Sequence, residues 1–178
     1  MADLAAAATR AEAEGVSAVF LTSGPLGDAV TLAAGICRAA PALRFGIRTN
    51  LSTEPHRHPT VLAREMTAFD LVCGGRSLLA FTPPFDDAVA ETMDLCRAMW
   101  REGVAASEGP LYPVAGAVNR PRPQQEGGPR LALDLTEGLP AAPELMAMAD
   151  LLLVPSAATD APGVALPPGV ELCAIDGA

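Results

Sequence analysis

The chain contains no lysine: all twelve of its basic residues are arginine. That absence excludes a Schiff-base lysine and a phosphate-binding P-loop, each of which needs one. Positive charge is scarce altogether, and the formal net charge is −9. No basic cluster offsets it, which argues against a nucleic-acid partner and assigns the acidity to solubility. No apolar run has the length of a membrane span, and Asp3, Glu12 and Glu14 interrupt the N-terminus where a signal peptide needs apolar residues. The expectation is a soluble, cytoplasmic protein with no membrane partner. Histidine is confined to His56 and His58, in "EPHRHP". No third ligand stands near them, so a surface loop running into a helix outweighs a metal site. Cys37, Cys73, Cys96 and Cys173 are far apart with no C-x-x-C pair, which favours buried free thiols over a metal site.

What remains is apolar and regular. Half of the 178 residues are hydrophobic, enough for one domain with a substantial core. Asp3 to Gly15 reads as an Ala-rich helix, "SAVFLTSG" as a strand, and Asp28 caps a helix reaching about Ala40. "LRFGIRTNL" is a strand and "STEPH" a loop. In "RHPTVLAREMTAFDLVCGGR", Arg57 to Arg76, Pro59 suits a first helical turn and Gly74 and Gly75 supply a left-handed stop. Between them Leu62, Met66, Phe69 and Val72 or Cys73 form an apolar stripe at helical spacing. "RSLLAF" then reads as a buried strand. Asp86 to Glu102 is the clearest helix: acids at its start and Arg97 and Arg101 at its end complement the dipole. Val89, Met93, Cys96 and Trp100 share one face, which makes Trp100 a core residue.

After Gly103 a Pro/Gly-rich excursion suits a short hairpin. "RLALDL" is a strand, "PELMAMA" barely two helical turns, "DLLLVP" a strand, and "VELCAIDG" a last short strand. Strands alternating with helices predict an α/β fold with about six mainly parallel strands and crossover helices, either an open doubly wound sheet or part of a βα-barrel.

The order of these segments resembles the bacterial luciferase-like monooxygenase superfamily. "ATRAEAEGVSAVFLTS" is similar to that family's first helix and second strand, and Arg57 to Arg76 to its helix leading into Gly-Gly-Arg. "AVAETMDLCRAMW" resembles the next helix, and "EGPLYPVAGAVNRPRPQQEGGPRLAL" the excursion and strand that follow. The likeness runs from about Ala8 to Leu135. It implies a (β/α)8 TIM barrel binding FMN or a deazaflavin at the C-terminal mouth of its strands, flavin-dependent oxidoreductase activity by monooxygenation or hydride transfer, and dimerisation.

Against a complete barrel of about 250 residues, residues 1–178 read as one shortened domain, a truncated barrel lacking the first strand and the C-terminal βα units. Such a remnant exposes edges or core unless covered. Two covers suggest themselves: "VELCAIDG" folding back into the place of the first strand, or a second chain, giving a homodimer or a heterodimer with a related subunit. At the mouth, the resemblance implies Thr22, Ser23, Asn50, Thr82, Thr136 and Gly138 as cofactor-binding residues. Turn and strand-end roles are the simpler reading of each. Thr136 and the Gly138 N–H suit a phosphate, whereas Asp134 and Glu137 oppose it. Arg76 reads as an anchor at the barrel bottom, and Asp134 as an inward strand residue with a structural partner.

Two functions therefore stand side by side. One is a flavin- or deazaflavin-dependent oxidoreductase of reduced size. The other is a non-catalytic companion subunit or small-molecule-binding protein that binds no flavin. A hydrolase pairing Ser23 or Ser52 with His56 or His58 lacks the G-x-S-x-G elbow and is set aside.

Overall fold

In the computed structural model, residues 1–53, 57–138, 141–156 and 169–175 are described. Six strands form one sheet in the order β1 (Ala18–Thr22), β2 (Arg44–Thr49), β3 (Ser77–Phe81), β6 (Arg130–Asp134), β7 (Leu151–Pro155) and β8 (Glu171–Ile175). Every neighbouring pair is parallel. Parallel neighbours need crossovers, and α1 (Ala2–Ala13), α2 (Ala29–Ile36), α3 (Pro59–Cys73), α4 (Asp87–Glu102) and the short α5 (Pro143–Met148) supply helices between or before them. The sheet curls into a half-barrel, the truncated TIM-like α/β fold that the resemblance implied. The excursion holds the expected hairpin: β4 (Val104–Ser107) pairs antiparallel with β5 (Val114–Val118) outside the main sheet.

The local chemistry of the helix ends explains their bounds. Asp28 Oδ1 accepts from Thr31 N at 3.0 Å and caps α2. Asp86 caps α4 through Ala88 N and Val89 N. His58 caps α3: its Nδ1 accepts from Thr60 N at 3.2 Å, with Pro59 in the first turn behind it. Gly74 and Gly103 close α3 and α4 at φ of 72° and 76°, the left-handed region that glycine enters at least cost.

The sheet has two buried faces. Its outer face packs Phe45, Ile47, Leu79, Phe81, Leu131 and Leu133 against Leu62, Met66 and Phe69 of α3 and Met93, Met99 and Trp100 of α4. Each large side chain buried this way contributes roughly 1.5–3 kcal/mol. Trp100 is core as expected, and its Nε1–H donates to Ala63 O at 3.0 Å. The inner face is a second cluster of Leu78, Ala80, Ala132, Leu151 and Leu153, with Ala18, Phe20 and Cys173 packed on it. Leu78, Leu151 and Leu153 are buried, whereas Ala18, Phe20 and Cys173 on the same face are only partly covered. Among the described residues, β1 and β8 end the sheet and leave its edges open.

One expectation is corrected. The last strand does not fold back beside β1. Glu171–Ile175 extends β7 on the opposite side of the sheet, in register from Leu151↔Glu171 to Pro155↔Ile175. The ladder of β7 is available directly, and this register turns Cys173 toward the inner apolar cluster.

The N-terminal end of the sheet is tied by polar groups. Arg76 Nη2 donates to Cys37 O at 3.0 Å and Nη1 to Ala40 O at 2.9 Å and to Leu43 O. Arg76 is therefore an anchor there, as expected. Asp70, fully buried, accepts from Ser77 Oγ at 2.6 Å, Gln124 N at 2.8 Å and Gln125 N at 2.9 Å. These bonds dock the Pro-rich excursion under the α3–β3 turn. Among the described residues, no helix is long and apolar enough to cross a membrane.

Candidate functional site

In a parallel sheet of this kind ligands meet the carboxyl ends of the strands. Here those ends carry Thr22, Asn50, Thr82 and the Asp134–Thr136 segment. Strand register places side chains on the inner face in rows. One row runs Thr22, Arg48, Ala80, Ala132, Leu151 and Glu171 across all six strands. The next, nearer the mouth, contains Asp134, Leu153 and Cys173.

The Arg48–Asp134 pair stands where these rows meet. Arg48 Nε lies 2.8 Å from Asp134 Oδ2, with side-chain exposures of 26% and 4%. The Nε–H is not aimed at that oxygen, so the contact is an ion pair without a directed hydrogen bond. Asp134 Oδ1 accepts from Thr136 Oγ1 at 2.6 Å and Thr136 N at 3.0 Å. Asp134 is thus an inward residue with structural partners, as expected. Arg48 also covers the Phe20 ring, its Cζ 5.9 Å from the centroid. Phe20 can lie there because Gly46 opposite has no Cβ: one built at that position would run into the ring.

The six residues implied as cofactor ligands all lie at the strand ends, and most have their polar groups in use. Ser23 Oγ accepts from Ala29 N at 3.1 Å, at the start of α2. Asn50 Nδ2 donates to Pro83 O at 2.7 Å, and its Oδ1 accepts from Ser52 N and Thr53 N. Thr82 Oγ1 donates to Thr49 O at 3.3 Å. Asn50 and Thr82 are therefore brought together beside the cis Pro83–Pro84 bond. Thr136 is occupied by Asp134, and Gly138 N donates to Leu135 O at 3.0 Å. Thr22 is exposed, and its hydroxyl makes no hydrogen bond among the described residues.

This arrangement tests a phosphate at the β6 turn. Its two expected donors are already bound inside the chain, and the carboxylates of Asp134 and Glu137 flank them. Between residues 134 and 138, the donors that a phosphate would need are turned to Asp134 and Leu135. Toward the mouth of the inner face, the Nη atoms of Arg48 and the hydroxyl of Thr22 make no hydrogen bond among the described residues.

Elsewhere the ionisable groups have structural duties. Burial raises the Asp28 carboxyl, but the Thr31 N–H and Arg57, 2.6 Å away, outweigh it and hold it below its ordinary value. Burial pushes the Cys96 thiol up to about 12, and raises Cys73 and Cys173 as well. Cys37, Cys73 and Cys96 are buried, and none of the four cysteines forms a disulfide among the described residues. Among the described residues no group of His, Cys, Asp and Glu is placed to hold a metal. His58 stands edge-on to Tyr112, their centroids 5.5 Å apart. With His58 in the α3 cap and Ser23 at the start of α2, neither is arranged as a nucleophile–base pair; His56 lies outside the described residues.

Sequence reasoning missed Arg48. Its signal was an arginine at the inward position of "RFGIRT". A parallel strand covered on both faces is normally apolar throughout, and a charge there needs a partner.

No family model matches the sequence, and no curated protein does. Solved structures do. The coenzyme F420 dependent tetrahydromethanopterin reductase from Methanopyrus kandleri matches with a TM-score of 0.71 at 15% identity, over 86% of this chain and 52% of that one. The monooxygenase RslO1 from Streptomyces bottropensis matches at 0.67 and 20% identity, over 84% and 51%. The chain has the luciferase-like fold. The oxygenating constituent of 3,6-diketocamphane monooxygenase from Pseudomonas putida, a complex with FMN, matches at 0.61 and 14% identity, over 84% and 50%. This luciferase-like half-barrel spans about half the length of each, 50 to 52%.

Proposed function

We propose that the chain is a luciferase-like oxidoreductase module of reduced size that works with a flavin or deazaflavin. The observation that carries this reading is the fold match, over 84 to 86% of the chain, to an F420-dependent reductase and an FMN-bound monooxygenase. The bound cofactor supplies the redox chemistry, by hydride transfer or oxygenation. The chain's own part is to bind, orient and exclude water. Leu78, Leu151 and Leu153 make a dry floor below the mouth, and Arg48 and Asp134 set its charge. Thr22, Asn50 and Thr82 form the polar rim. The β6 turn, with its acids and occupied donors, takes no phosphate.

A second reading follows from the same rim: a companion subunit or small-molecule-binding protein without redox chemistry. The observation favouring it is that the polar groups of Ser23, Asn50, Thr82 and Thr136 are already used in turns. Titration of the purified protein into FMN, and separately into a deazaflavin, separates the two. Saturable binding of either supports the oxidoreductase. A folded protein that binds neither supports the companion.

Association belongs to both readings, as a homodimer or with a related subunit. β1 and β8 leave two open sheet edges. Val61, Leu71 and Val72 are also exposed on α3.

A further inference from the structure

We infer that Arg48 and Thr22 form a receptor for an oxyanion, a phosphate or carboxylate group carried by a small molecule entering the mouth. The inference holds for any such ligand and does not depend on its being a flavin. Three observations carry it. First, Arg48 stands on an inner face whose other members are mainly apolar, and a guanidinium is costly to place there without a use. Second, its fixed contacts engage only part of the group. Asp134 Oδ2 lies against the Nε side at 2.8 Å, and the Phe20 ring supports the flat face. The Nη atoms have no hydrogen-bond partner among the described residues, and the side chain remains 26% exposed. Third, Thr22 is the register partner of Arg48 on β1, and its hydroxyl is unused.

These contacts hold a planar fork in place while leaving its outer edge open. Arginine binds carboxylate and phosphate through that edge with two parallel N–H···O bonds. Pre-orientation by Asp134 and Phe20 lowers the rotamer entropy lost on binding. Asp134 lowers the local positive potential and so opposes an anion, which leaves binding to rest on directed bonds from the open Nη edge rather than on net charge. Thr22 can add a third donor from the neighbouring strand.

The experiment is a nitrogen-15 NMR titration that follows the Arg48 Nε–Hε resonance, identified by its loss in Arg48→Lys. Inorganic phosphate and acetate are added to the folded protein, each against sodium chloride at matched ionic strength. The expected result is a saturable shift with phosphate or acetate that chloride does not reproduce. Thr22→Val weakens it several-fold with an unchanged backbone spectrum. A larger response to phosphate assigns a phosphate ester, and a larger response to acetate a carboxylate. No shift with either ion, or one that chloride matches, overturns the receptor.

A parallel titration with FMN and riboflavin, which differ by the phosphate, tests the ligand. If the flavin is the ligand, FMN binds about tenfold tighter than riboflavin and Arg48→Gln removes the difference, as expected for one charge-assisted bond. Failure of both flavins to bind while phosphate shifts Arg48 counts against the flavin reading and leaves the receptor standing. Equal, saturable binding of both, with Arg48 unmoved by either ion, does the reverse.

Discussion

The carboxylate of Asp70 and the side-chain amide of Gln125, separated by 55 positions, meet at 2.7 Å. Asp70 is fully buried and also accepts from Ser77 Oγ and two backbone N–H groups. One side chain thus fastens the excursion to the turn between α3 and β3. Asp70→Ala leaves those donors without an acceptor and costs about 3 kcal/mol or more. Urea denaturation shows a lower midpoint; an unchanged midpoint contradicts this role.

The cysteines differ in access. Cys37, Cys73 and Cys96 are buried, and Cys96 has its thiol pushed up to about 12. Cys173 is half-buried, so its raised thiol reacts slowly but first. Alkylation of the native protein at mildly alkaline pH, mapped by mass spectrometry, should label Cys173 before the other three. The others react once urea is added.

The Asp28 cap is pH-dependent, with a definite sign. Its carboxyl is held below its ordinary value in the folded chain. Its contribution is therefore complete above the unfolded carboxylate range, about 3.9, and disappears as pH falls through the lower folded value. At neutral pH Asp28→Ala costs about 1 kcal/mol as a lost N-cap. Denaturation curves of wild type and variant should be clearly separated at neutral pH and draw together on acidification below the carboxylate range.

Gly46 and Phe20 share a space with room for only one of them. Gly46→Ala should cost about 1–3 kcal/mol by overpacking. Adding Phe20→Ala relieves the clash, so the two substitutions are non-additive in urea denaturation. Simple additivity would mean that the ring does not depend on the missing Cβ.

Local signals made much of the fold legible. The Asp28 cap, the Gly74 stop, the dipole-matched charges of α4 and the Trp100 face each follow from chemistry within a few residues. Alternation of strands and helices gave the parallel sheet. The position of β8 was not legible, because apolar patterning marks a strand without naming its neighbour. The Asp70–Gln125 bond was hidden for the same reason: distant polar partners leave no periodic trace. At the mouth, the named rim residues do stand at the strand ends. Their engagement in turns depends on loop geometry that composition does not encode. Arg48 was legible in principle from its inward register, once the facing strands were known.

Native mass spectrometry of the purified chain with and without FMN, repeated with a deazaflavin, tests the central claim most directly. The account predicts a dimer that retains one of the two cofactors stoichiometrically. A folded monomer that takes up neither contradicts it.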